Sequence, residues 1–334
     1  MDDLRYGTRN KRGDWTPTAP VTYPPVFVAP PQPVAFAKWL FGYPGFILGW
    51  NLPVLGIAAA SWWWLTPSIS TMRQLSVGWI TWILLRNLAL VLVWFGGAHW
   101  WLYIRKAQGN RFKFNGRWLA TGADFFRFRN QTRDNVFWAL VSGVPQWTAF
   151  EVVTMWMFAN GHIPWLTWAR HPVWFVALFL LVPILRDVHF YAIHRLIHVP
   201  WLYRHVHHLH HTNTNVGPWS GLAMHPVEHL AYFSGVLLHW LIPSHPAQAM
   251  YHVFHAGLMP MPGHTGFERI EVGGFAVQTY SYAHYLHHKY FEVNYADGVI
   301  PLDKWFGSFH DGSTAADEQM QRRLAARTAH PRAG

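Results

Sequence analysis

The apolar positions of this chain gather into long runs separated by polar, proline-bearing segments. Four runs suit a bilayer core of roughly 30 Å, which takes about 20 helical residues to cross. The first is "GFILGWNLPVLGIAAASWWWL" (45–65), closed by a tryptophan cluster of the kind that sits at a lipid–water interface. The second runs from Leu75 to Ile104, and the third is "VFWALVSGVPQWTAFEVVTMWMF" (136–158). The fourth begins at Pro172 and passes through "VWFVALFLLVPIL" into a histidine-bearing segment. A fifth apolar stretch (229–257) is broken at Pro243 and Pro246. Its arms are too short for two full spans, so the pattern predicts a re-entrant hairpin. The same runs could be buried helices of a soluble core, but their length, their terminal tryptophans and the scarcity of charge favour the membrane.

Composition supports that choice. Only 13% of the 334 residues are charged, against 51% hydrophobic, and a globular protein usually carries about a quarter charged residues. Positive charge then sets an expected orientation. Arg5, Arg9, Lys11 and Arg12 precede the first run, and Arg105, Lys106, Arg111, Lys113, Arg117, Arg127, Arg129 and Arg133 crowd the linker between the second and third. Such segments stay cytoplasmic, so both termini and everything after residue 185 are expected on that face. The first 20 residues are polar rather than apolar, and no cleavable signal peptide is expected. The predicted division is a cytoplasmic tail (1–36), a transmembrane part (37–185) with its basic linker (105–134), a cap (186–311) that includes the hairpin, and a C-terminal tail (312–334).

The chain has 23 histidines and no cysteine, so a metal here is held by nitrogen and oxygen. Three clusters stand out: "HRLIH" (194–198), "HHLHH" (207–211) and "HYLHH" (284–288). On a helix, residues spaced i, i+3 and i+4 share a face, and imidazoles placed there converge. Eight such rings exceed what one ion takes, and two metals is the economical count. Imidazole suits iron, zinc, copper or nickel. His205 and His208 fall off the ligand face. His99, His162, His171, His239, His245 and His330 are isolated and read as satisfied core residues. Arg86 and Glu151 are the clearest ionisable residues within the spans, and their depths differ by only about 6 Å at 1.5 Å per residue, a gap that long side chains cover, so an ion pair is expected.

Residues 180–311 resemble the integral-membrane fatty acid hydroxylase and sterol desaturase superfamily. The resemblance rests on "DVHFYAIHRLIH", "LYRHVHHLHHTNTN", "PWSGLAMHPVEH", "HYLHHKYFEVNYAD" and "PLDKWFGSFHDG". It implies an all-α membrane protein, with about four transmembrane helices and the hairpin under a cytoplasmic helical cap that carries a dimetal site. It also implies two irons, with zinc as a substitute in purified protein, and O2-dependent hydroxylation or desaturation of a lipid such as a sterol, fatty acyl chain or sphingoid base. Carried over residue by residue, it makes His194, His198, His207, His210, His211, His284, His287 and His288 the metal ligands. His264, His225 and Glu268 are further candidate ligands, although Glu268 stands where some members have histidine. His229 is expected at or behind the site. Asp187, two turns before His194, is a candidate to orient a ligand ring or to pair with Arg186 or Arg195.

No haem-binding segment, cysteine cluster or flavin fingerprint is present, so electrons are expected from a separate carrier, a ferredoxin or cytochrome b5-like protein with its reductase. A formal charge of +10 would draw an acidic carrier and equally suits anionic membrane lipids. No nucleic-acid partner is expected. The expected membrane is the bacterial inner membrane, or the endoplasmic reticulum in a eukaryote. Two other classes fit less well. One is a zinc-dependent membrane hydrolase or isomerase on the same scaffold. The other is a metal-binding or transport protein, which would place histidines along the spans rather than beyond them.

Overall fold

The computed structural model describes residues 2–329; His330 lies outside them. Among the described residues three helices are long and apolar enough to cross a membrane: α2 (Val77–Ile104), α3 (Gln131–Ala159) and α4 (Pro172–Ile197). The expected first span is helical over 47–65 (α1), but Gly49 leaves helical geometry (ψ −130°) and kinks it near its start. It is therefore not one of the three long spans. Trp63 and Trp64 at its end are three-quarters exposed, as interface tryptophans would be.

The four segments alternate in direction. Trp50, near the start of α1, donates to the Gln278 carbonyl (2.8 Å), while at the opposite end Trp82 of α2 donates to Leu65 O (2.7 Å). Tyr103, near the end of α2, donates to Val216 O and Thr265 O, and Gln131 at the start of α3 donates to Asn213. One end of the bundle therefore gathers the linker and the histidine boxes.

Within the bundle runs the hairpin, from α5 (Pro226–Phe233) through short helical turns to α6 (Pro246–Leu258). Every residue of α6 except Ala247 is buried, and its polar members find partners inside, Gln248 at Phe175 O (2.8 Å), His252 at His239 (3.0 Å) and His255 at Asn51 (2.9 Å). Its start is fixed by Pro246 at the first turn, by His245 accepting from Ala247 N (3.1 Å), and by Gln248 accepting from His245 N (2.7 Å). The turn reaches the far end of the bundle, where Trp174 donates to Pro243 O and Leu166 N to Ser244 O. Trp174 and His194 stand on one helix, about 30 Å apart at 1.5 Å per residue. Short arms thus traverse nearly the whole bundle because α6 is walled by protein rather than lipid.

Arg86 and Glu151 meet in the bundle core as an ion pair, both almost fully buried. Asn87 donates to the other Glu151 oxygen (3.1 Å) and accepts from Arg86 (2.9 Å). Removing one member of such a pair strands a buried charge, at about 3–5 kcal/mol. Glu151→Ala is therefore expected to lower the thermal unfolding midpoint in detergent more than an Arg86→Met, Glu151→Leu double variant does. Equal midpoints would show that the pair carries no net cost when broken.

Of the isolated histidines, His239 bonds His252 (3.0 Å) and His245 caps α6, whereas His162 and His171 are exposed rather than in the core. His99 stacks on Tyr103 with ring centroids 5.4 Å apart. The segments read as tails join the cap. Strands β1 (Gly7–Arg9) and β2 (Trp15–Pro17) pair antiparallel, and Trp15 is buried against Phe112 and Phe114. From the other terminus, helix α8 (Thr314–Ala329) contributes buried Met320 to the cluster that holds Tyr282, Tyr285 and Leu286 of α7 (Tyr282–Tyr290).

Candidate metal centre

The three boxes lie on three elements that meet at one end of the bundle. His194 is in the last turn of α4 and His198 caps it. His207, His210 and His211 follow a wide turn at Tyr203–His207 that continues into His208–His211. His284, His287 and His288 lie on α7. His264 closes the short turn Pro260–Gly263.

Nine rings form two adjacent groups. His194, His198, His207, His211 and His287 make one, and His210, His264, His284 and His288 the other; within each, the candidate donor atoms lie within 4.8 Å of one another. The boxes are thus divided between groups rather than assigned one to each. His207 and His211 serve the first group and His210 the second, while His284 and His288 serve the second and His287 the first. On both helices the i, i+4 pair shares a target and the i+3 ring turns to the other, as the 100° step between neighbouring positions requires.

Five of the outward nitrogens are committed, while those of His211, His284 and His288 are buried without a hydrogen-bond partner. Nδ1 donates to the Tyr295 carbonyl in His194 (2.7 Å), to Val293 O in His287 (2.7 Å), to Pro260 O in His264 (2.8 Å) and to Ala223 O in His210 (3.3 Å). In His207 it meets the Glu228 carboxylate (2.8 Å). A neutral imidazole has one N–H, so each Nε2 in this set is a bare lone pair. Yet His264 Nε2 and His210 Nε2 lie 3.4 Å apart, and His207 Nε2 is buried with no hydrogen-bond partner. Lone pairs facing one another in a dry interior repel unless a cation sits between them. Two donors each about 2.1 Å from one ion stand about 3.0 Å apart at a right angle and about 3.4 Å at a tetrahedral one. Three Nε2 pairs fall in that range, at 3.0 Å for His287–His211, 3.3 Å for His211–His198 and 3.2 Å for His264–His288, and His284–His264 at 2.9 Å lies just below it. The residues present fit two metal ions.

Electrostatics agree. Burial, then neighbouring imidazoles, pushes His207, His211, His284, His287 and His288 well below the ordinary histidine range. Burial alone takes His210 down to about 4. Neutral imidazole is the ligating form.

The remaining expected residues fall outside both groups. His225 caps α5 by accepting from Val227 N (3.2 Å). Glu268 is half-buried on the strand-bearing side, and the shielding of its carboxyl pushes it up to about 7. His229 bonds Ser142 (2.9 Å) and the Leu222 carbonyl (3.2 Å) rather than a ligand. Asp187 accepts from Val299 N (3.1 Å) and pairs with Arg186, so it reaches His194 only through the loop that carries the Tyr295 carbonyl. Glu228, within the quoted "HPVEH", is the carboxylate that touches a ligand ring, and sequence reasoning did not single it out. A carboxylate one turn into an apolar helix needs a buried partner, and that was the available signal.

Between the two groups and α4 lies a cavity of about 10 Å³, roughly one water in size. His194, His207, His210, His264 and His284 line one side. Arg186, Phe190, Glu228, Tyr232 and Asp297 complete the lining.

Residues 179–308 match the family model described as "Fatty acid hydroxylase". Among curated proteins it is similar to the Delta(7)-sterol 5(6)-desaturase ERG3B of Gibberella zeae, with 30% identity over 138 residues, covering 40% of this chain and 42% of that one. It is also similar to the putative Delta(7)-sterol-C5(6)-desaturase 2 of Arabidopsis thaliana, with 26% identity over 50% of this chain and 61% of that one. The fatty acid hydroxylase ahd1 of Mycosarcoma maydis is 27% identical over 42% of this chain and 37% of that one. The chain spans about half the length of the curated relatives it matches. No solved structure matches it significantly. With its long apolar helices, it is an integral membrane protein.

Proposed function

We propose that the chain is a membrane-bound non-haem diiron enzyme that hydroxylates or desaturates a lipid with O2 and electrons from a separate donor. The observation that carries the reading is the convergence of nine buried or half-buried imidazoles into two groups, five of them with Nε2 left bare by the hydrogen bond that Nδ1 makes. Two irons bound there would supply the redox chemistry that oxidising an unactivated C–H bond requires; zinc would not. For hydroxylation the balance is one C–H bond and one O2, two electrons and two protons, giving one alcohol and one water. Desaturation uses the same O2 and electrons, removes two hydrogens and yields two waters.

The chain's own residues do the remaining work. Carbonyls and Glu228 fix the ring orientations, while Phe190, Met224 and Pro260 keep the cavity largely dry. Relatives named as sterol desaturases and a fatty acid hydroxylase support a lipid substrate, which in this reading enters from the bilayer. The histidine end is taken as cytoplasmic, in line with the basic linker gathered there.

The reading is tested with iron-loaded protein in lipid vesicles, given a reductant and isotopically labelled O2. The expected product is a lipid that has gained one labelled oxygen or lost two hydrogens, absent with His287→Ala. Equal turnover without O2 would overturn it.

A further inference from the structure

Of the nine imidazoles, eight are buried and His198 is partly open to the surface. The cap builds an aromatic rim around it. Tyr203 lies 5.4 Å from the His198 ring and 5.6 Å from His211, Tyr295 lies 4.8 Å from His198, and Phe291 lies 5.0 Å from His211 (centroid distances). Phe291 holds φ +65°, a left-handed conformation that bulky residues avoid. Its N–H donates to the His287 carbonyl (2.7 Å), closing α7 so that the ring covers His211.

Charge surrounds these rings. Arg195 and Arg204 are exposed, the Arg195 guanidinium lies 4.5 Å from the Tyr295 ring, and Arg204 follows Tyr203 directly. Of the nearby acids, Asp317 lies 3.9 Å from Lys289 and Glu292 3.9 Å from Arg323, while Asp303, buried and within electrostatic reach of Arg195, accepts from Tyr295 N, Ala296 N and the Ser308 hydroxyl. Arg195 and Arg204 therefore leave the rim positive. Three of the linker cations also have local partners, as Arg195 does in Tyr295, while Arg117 and Arg133 are exposed. Arg129 pairs with Asp124 (2.8 Å), Arg111 with Glu271 (2.8 Å), and Arg127 lies over Phe137 and Trp138. Electron tunnelling slows steeply with distance, so a carrier delivers fastest through the ligand nearest the surface.

We propose that an acidic one-electron carrier docks on the His198 rim, between Arg195 and Arg204, and not on the linker. This rests on the oxygenase reading above. Each visit oxidises the carrier by one electron and reduces the metal pair by one. Two visits meet the demand of one turnover, and water supplies the protons.

The test uses full-length, iron-loaded, oxidised protein in phosphatidylcholine vesicles. It is mixed anaerobically with prereduced plant-type ferredoxin, an acidic carrier, and reoxidation of the ferredoxin is followed. Arg195→Glu, Arg204→Glu is expected to lower the second-order rate constant about tenfold or more at low salt and to flatten its salt dependence. Arg127→Glu, Arg129→Glu is expected to stay within about twofold. Iron content is measured for each variant; if the rim variant loses iron, Arg195→Gln, Arg204→Gln replaces it, with about a threefold decrease expected. An undiminished rate in the rim variant, an equal loss in the linker variant, or no ferredoxin oxidation by the unmodified protein would each overturn the proposal. Dithionite-driven lipid oxidation separates the two readings. Product with dithionite but no rim effect removes the docking site alone, and no product with dithionite removes the oxygenase reading and the docking site with it.

Discussion

Elemental analysis of the purified, iron-replete chain is expected to return two metal ions, falling to about one in His264→Ala. In the second group every close Nε2 contact runs through His264, to His284 (2.9 Å), His288 (3.2 Å) and His210 (3.4 Å). Its removal leaves three donors and a void at the centre of that group, while the five rings of the first are untouched. Product formation should fall at least about 100-fold, beyond what losing a mere orienting partner does. His205→Ala and His208→Ala change exposed rings and should keep both ions. His225→Ala and Glu268→Ala should also keep both, because neither side chain belongs to a group. Two ions in folded His264→Ala protein would make His264 a spectator and return the count to the eight boxed rings.

That contrast shows what the sequence could convey. Long apolar runs made α2, α3 and α4 legible, because crossing a bilayer demands length and apolarity together. Gly49 could not be read as a kink, since glycine within an apolar run is compatible with either a straight or a bent helix. The hairpin was legible from Pro243 and Pro246, but its depth was not. How far two short arms reach depends on the helices that enclose them. Arg86 and Glu151 were legible as partners because an isolated charge at that depth is costly.

At the site, residue spacing gave the boxes and concealed their division. An HxxHH pattern says that three rings lie near one another on a helix. Which ring turns to which neighbour depends on how α4, α7 and the 203–211 segment cross, and that is tertiary information. The orienting groups were mostly illegible because four are backbone carbonyls, at Ala223, Pro260, Val293 and Tyr295. A carbonyl leaves no mark on sequence. Asp187, chosen for its helical spacing from His194, holds the loop that supplies one of those carbonyls.

Glu228 is the exception, a ligand-orienting side chain encoded in sequence, and Glu228→Ala is expected to weaken metal binding about 10–100-fold. Its Oε1 takes the His207 Nδ1–H (2.8 Å) in a fully buried setting. Without an acceptor that N–H is stranded, a cost of about 1–3 kcal/mol, and the ring can turn its bare Nε2 away from the first group. Glu228→Gln should fall between the wild type and the alanine variant, because an amide oxygen still accepts but brings no charge to strengthen His207 as a donor. Ser142→Ala, which removes one partner each of His229 and Gln146 and touches no ligand ring, should leave affinity unchanged. Chelator competition on the full-length protein measures all three without relying on turnover. Wild-type affinity in Glu228→Ala would mean that the ring of His207 is fixed by packing against His194, His198 and His211, whose centroids lie 4.5–5.1 Å from it, and that the carboxylate has some other task in the cavity it lines.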